Sequence, residues 1–149
     1  MRNIRTLATA GALTTLMVGA TAAFGPTASA APNTTPQKVC GSSYKTVNSA
    51  AVGSLGTVYL TYNASNGKNC VVTIRSAPGA AKEMSAYLYV PDTDASASDY
   101  GNYTSYAGPV YAYGKGHCVS WGGHIANVYV SVENSNCASF KEQRSLEVR

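Results

Sequence analysis

The chain has 149 residues, with eleven lysines and arginines against seven acidic residues, a formal charge of +4 and only 12% charged residues. That excess is small, and nucleic acid is not an expected partner, because neutralising phosphates needs a clustered basic patch. The length fits a single domain with a modest core.

Arg2 and Arg5 precede an uncharged stretch of apolar and small residues from Leu7 to Phe24, and Ala28, Ser29 and Ala30 form a small-x-small cleavage site. This layout predicts a secretory signal peptide over 1–30, with the exported product beginning at Ala31. An uncleaved anchor is the competing reading, but the many Ala, Gly and Thr residues and the cleavage site argue against it. Cleavage removes two basic residues, so the charge falls further. No second long apolar segment follows, so the product is expected to be soluble, extracellular and free of the membrane.

Residues 31–38 are polar with two prolines and predict a flexible lead-in to an all-β domain over 39–137. From there short extended runs alternate with turn residues. Residues 44–52 give a first short strand. In 57–63, Val58, Leu60 and Tyr62 share one face and Thr57, Tyr59 and Thr61 the other; in 69–75, Cys70, Val72 and Ile74 fall together. Asn66-Gly67 lies between these runs and predicts a hairpin, because both residues tolerate positive φ. Further strands are expected over 84–90, 103–114, 117–121 and 125–133, with Gly122-Gly123 read as a turn. Six or seven strands rich in β-branched residues and tyrosine predict an all-β fold, a small single-domain β-sandwich or barrel. The charged segment 138–149 is expected to be a disordered tail.

All four cysteines, Cys40, Cys70, Cys118 and Cys137, follow the leader. An even count in a small exported chain predicts two disulfides. Three pairings are possible; Cys40–Cys70 and Cys118–Cys137 are favoured because each closes a local loop, at roughly 3 kcal/mol apiece on the chain-entropy model. No C-x-x-C or H-x-x-x-H spacing points to zinc, and no metal or cofactor is expected.

The run 114–124 places Cys118 between His117 and His124, with Trp121 three residues on. A cysteine nucleophile needs an oriented histidine beside a thiolate. His117 and Cys118 are adjacent in an expected strand and point to opposite faces, so the disulfide is the better reading. Asp92, Asp94 and Asp99 offer hard oxygen ligands, but 91–99 lacks the glycine and terminal glutamate of a calcium loop and reads as solvated. Eleven tyrosines are the stronger signal. Alternation pairs Tyr87 with Tyr89 and Tyr111 with Tyr113; on neighbouring strands, with Trp121, they would form an aromatic platform for a glycan. Tyrosine also simply suits half-wet strand faces.

The blocks VCGSSYKTV, TVYLTYNASNGKNCVVTIRS and YAGPVYAYGKGHCVSWGG occur in this order. On them the chain resembles the spore-associated protein A family of filamentous actinobacteria, over roughly residues 38 to 137 and including all four cysteines. The charged extension after Cys137 departs from the expected pattern. The resemblance implies a small secreted protein recovered with spores and aerial hyphae, and it implies a location more than a mechanism. With a bacterial source, the N-x-S/T triplets at 33–35, 63–65 and 102–104 are read as accidental. The leading expectation is a non-enzymatic protein of the spore or cell surface, with surface or wall components as partners. A glycan-binding module using tyrosine-rich faces comes second. A secreted inhibitor ranks lower because no cysteines closely bracket loop 91–102, and a Cys/His hydrolase ranks lower still.

Overall fold

A computed structural model describes residues 33–137. The expected signal peptide at 1–30 and tail at 138–149 lie outside the described residues. The elements in chain order are α1 (Pro36–Cys40), β1 (Lys45–Val52), β2 (Gly56–Asn63), β3 (Lys68–Arg75), β4 (Lys82–Val90), β5 (Ala95–Tyr103), β6 (Tyr106–Tyr113), β7 (Val119–Ile125) and β8 (Val128–Ser135). The strands form two four-stranded sheets, β1-β2-β3-β6 and β5-β4-β7-β8, with every paired neighbour antiparallel. The domain is therefore all-β, a two-sheet sandwich, with β1 beside β8 at one margin and β5 beside β6 at the other.

Alternation explains the sandwich. Val58 and Leu60 of β2, Val71 of β3, Met84, Leu88 and Val90 of β4, Val119, Trp121 and Ile125 of β7 all point between the sheets and are buried. Each large apolar side chain so buried contributes about 1.5–3 kcal/mol. A second cluster lies outside the first sheet, where Cys70, Val72 and Ile74 of β3 meet Cys40, Tyr44 and Val39. These outward apolar residues need a cover, and α1 supplies it. Thr35 caps the helix by accepting from the Lys38 amide, and Pro36 starts it with a fixed φ. Five residues cannot hold a helix alone. The Cys40–Cys70 disulfide does, with Cα atoms 6.1 Å apart, so Pro36 to Lys38 belong to a docked helix and not to the lead-in expected there.

The second disulfide joins Cys118, just before β7, to Cys137, just after β8. Both bridges are the favoured pairings, and no described cysteine is free. The Asn66-Gly67 hairpin also forms, with Gly67 at φ 69° and Asn66 Oδ1 accepting from the Lys68 amide.

Three expectations are corrected. The run 103–114 is not one strand: β5 ends at Tyr103 and β6 begins at Tyr106. Buried Arg75 pins the turn between them, donating to the carbonyls of Ala80 at 2.8 Å and Thr104 at 2.9 Å. The solvated loop read over 91–99 becomes β5 from Ala95, an edge strand whose alternation is written in alanine and serine. Gly122-Gly123 is not a turn but the middle of β7. A Cβ on Gly122 would meet the Val130 carbonyl oxygen at 2.2 Å and the Tyr87 ring at 2.7 Å; one on Gly123 would meet Thr73 Oγ1 at 2.3 Å. Both glycines are there for close approach. The turn comes at 126–127, between the paired residues Ile125 and Val128.

Candidate functional site

The outward face of the β5-β4-β7-β8 sheet is built from four strands whose inward residues fill the core. Register places Tyr100, Ser85, His124 and Tyr129 in one row across β5, β4, β7 and β8. His124 points outward yet is only 4% exposed, because two rings cover it. Tyr129 stacks on the imidazole with centroids 4.7 Å apart, and Tyr100 tilts over it at 5.5 Å. Tyr129 is itself 70% exposed and Tyr100 64%, so each ring offers its other surface to solvent.

Below the rings, His124 Nδ1 is 2.6 Å from Ser85 Oγ. Nε2 faces Glu83 Oε1 at 3.5 Å, close enough for electrostatic attraction, but it makes no hydrogen bond and is a buried nitrogen without a partner. Glu83 also takes a hydrogen bond from the Tyr100 hydroxyl, which raises that phenol above its ordinary value of 10.0. One row along, Tyr87 lies across Gly122 and donates to Ser131 Oγ at 2.6 Å, with Glu133 beyond it. Burial foremost raises the Tyr87 phenol. Glu133 is held below its ordinary range, chiefly by the Ser131 hydroxyl and then by Ser120.

The tyrosines expected to act together are separated. Tyr87 and Tyr89 share the outer face of β4, and Tyr111 and Tyr113 that of β6, but β4 and β6 belong to different sheets. The two pairs therefore stand on opposite sides of the sandwich, and the single platform drawn from alternation does not form. Tyr111 is committed to packing: its hydroxyl donates to the Cys40 carbonyl at 3.0 Å and its ring meets Tyr44 edge-on. Tyr89 donates to Asp94 at 3.1 Å, and Tyr113 is half exposed beside Gly67. Trp121 needs correction. It is fully buried in the core, its indole N–H donating to Ser135 Oγ at 2.8 Å, and offers no face to a ligand.

Cys118 is bonded to Cys137, so its sulfur is not a thiol, and His117 pairs instead with Asp92 at 3.0 Å on the surface. The other two candidate calcium ligands go elsewhere: Asp94 to Tyr89, and Asp99 to Tyr103 and the Gly108 amide. Among the described residues no three His, Cys, Asp or Glu side chains are grouped to hold a metal. The residues missed by sequence reasoning are Glu83, Ser85, Tyr100 and Tyr129. Alternation of Tyr129 with Val128 and Val130 carried a signal; nothing in the sequence placed Tyr100 beside it.

The chain is 48% identical over 130 residues to spore-associated protein A of Streptomyces coelicolor (strain ATCC BAA-471 / A3(2) / M145), covering 87% of this chain and 80% of that relative. The chain belongs to the spore-associated protein A family. No family model matches the chain, and no solved structure does. Family membership accounts for the ordered sequence blocks and accompanies a two-disulfide sandwich. The outward face of β5-β4-β7-β8 is where this member gathers exposed aromatic rings and carboxylates.

Proposed function

We propose that this protein is exported, associates with the spore or cell surface, acts without catalysis, and holds glycan on the outward face of the β5-β4-β7-β8 sheet. The observation that carries the glycan reading is the pair Tyr100 and Tyr129, two exposed rings fixed against one buried histidine. Aromatic rings held in place before binding lose little entropy when a sugar stacks on them, and each phenol oxygen can still accept from its alcohols. Surface association draws on the relative's name; export draws on the Arg-flanked leader and on two disulfides, which persist outside the cytoplasm.

Ser85, His124 and Glu83 line up as alcohol, imidazole and carboxylate, the order of an acyl-transfer triad. A non-catalytic reading is preferred because β4 lies between β5 and β7, and its backbone N–H groups enter ladders on both sides. Among the described residues, β4 thereby offers no pair of free amides to an oxyanion beside Ser85, and that stabilisation is usually the largest part of acyl-transfer catalysis.

Two measurements test the proposal. Fractionation of spores, hyphae and medium should recover the protein with spores or hyphae; recovery only from the medium overturns surface association. In co-sedimentation with purified wall glycan, Tyr113→Ala should bind like the wild type. Combining Tyr100→Ala with Tyr129→Ala should weaken binding about tenfold or more. Unchanged binding by the double variant would refute the assignment of this face.

A further inference from the structure

We infer that this face selects glycans carrying free amino groups, with the ammonium seated at Glu83 between the rings of Tyr100 and Tyr129. The inference rests on the glycan-binding reading and deepens it. Charge is the first argument. The outward positions of β5, β4, β7 and β8 hold two carboxylates, Glu83 and Glu133, and no lysine or arginine. Glu133 is already engaged by Ser131, Ser120 and Tyr87. Glu83 keeps acceptor capacity: it takes a hydrogen bond from the Tyr100 hydroxyl, but its side chain is 48% exposed, and His124 Nε2 stands 3.5 Å away with no hydrogen bond joining the two.

Geometry is the second argument. A buried imidazole nitrogen without a partner is costly, and here it points at the same carboxylate that the exposed rings flank. Aromatic faces beside a carboxylate are the chemistry that holds organic cations: the ring quadrupole and the anion attract the same charge. A 2-amino sugar brings both complements, a pyranose face for a tyrosine and an ammonium for Glu83. An N-acetylated sugar keeps the first and loses the second. Anionic glycans meet repulsion from Glu83 and Glu133, so acidic wall polymers are the wrong occupant for this face.

The experiment compares glucosamine and N-acetylglucosamine oligomers of equal length, titrated calorimetrically into the exported protein at a pH where the free amines are protonated. The glucosamine oligomer should bind about tenfold more tightly, and added salt should erode that difference. Glu83→Gln, an exposed substitution that leaves the backbone pairing in place, should bring the two affinities together. Tyr129→Ala should lower both. Equal binding of the two oligomers by the wild type overturns amino-group selectivity while leaving the glycan reading intact. Binding of neither overturns the glycan reading itself. Equal weakening of both oligomers by Glu83→Gln, with selectivity retained, shows that the carboxylate only positions the rings and overturns the ammonium seat.

Discussion

Gly122 lacks a side chain because Tyr87 occupies the space. The ring crosses β7 at this point to reach Ser131, and a Cβ here would also press on the Val130 carbonyl oxygen. Neither neighbour can retreat cheaply, since one is backbone in a ladder and the other is anchored at its hydroxyl. Gly122→Ala is therefore expected to destabilise the domain by about 1–3 kcal/mol, the usual range for overpacking. Chemical denaturation measures that loss. If Tyr87 simply swings outward instead, the cost will be near zero and the phenol will titrate at its ordinary value, contrary to the burial assigned to it. Trp121 teaches the complementary lesson at the same scale. Its sequence position beside a cysteine and two histidines invites a functional role, but its indole fills the space between sheets, and its one polar atom is satisfied by Ser135.

The elements most legible in the sequence were those with large inward residues. Val58 and Leu60 marked β2, Leu88 and Val90 marked β4, and Asn66-Gly67 marked the β2–β3 hairpin through the positive φ that turn requires. β5 was hidden because an edge strand, half covered, makes do with Ala95 and Ala97 on its inward side. The end of β7 was hidden for a different reason. Its turn uses Ala126 at φ 53°, where L residues other than asparagine and aspartate are disfavoured, while its two glycines lie within the strand. The candidate site was illegible for the same structural cause: alternation tells which residues share a strand face, but only strand order decides whether that face meets α1, the core or water. Ala126→Gly follows from this account. Relief of the left-handed strain at the β7–β8 turn should raise stability by up to about 1 kcal/mol, net of the extra freedom glycine gains when unfolded. The Ala126 amide donates to the Glu83 carbonyl at 2.8 Å, a contact that glycine keeps. A lowered denaturation midpoint for the variant would mean that the turn is not strained.

At the scale of the whole molecule, the two disulfides serve different sheets. Cys40–Cys70 fastens α1 to the outward side of β3 in one sheet, while Cys118–Cys137 closes the base of the β7–β8 hairpin in the other. Neither bridge crosses the apolar layer formed by Leu60, Leu88, Trp121 and their neighbours, so the sheets are joined by that packing and by hydrogen bonds such as those from Thr73 Oγ1 to the Ser85 carbonyl and from the Gly108 amide to Asp99. Loss of either bridge should cost about 2–5 kcal/mol through the freedom returned to the unfolded chain. The local consequences should differ. Replacing Cys40 and Cys70 with serine frees the helix that covers Val72 and Ile74 and loosens the Tyr111 hydroxyl from its carbonyl. Replacing Cys118 and Cys137 frays the hairpin margin next to β1, where Asn136 bonds to Asn48. Because the bridges share no contact and stand on either side of the core, their costs should add to within about 0.5 kcal/mol in a double-mutant cycle. Equilibrium denaturation of the wild type, both single-bridge variants and the bridge-free variant supplies the four numbers. A coupling well above that limit would mean that the two staples communicate between the sheets, and their independence would have to be abandoned.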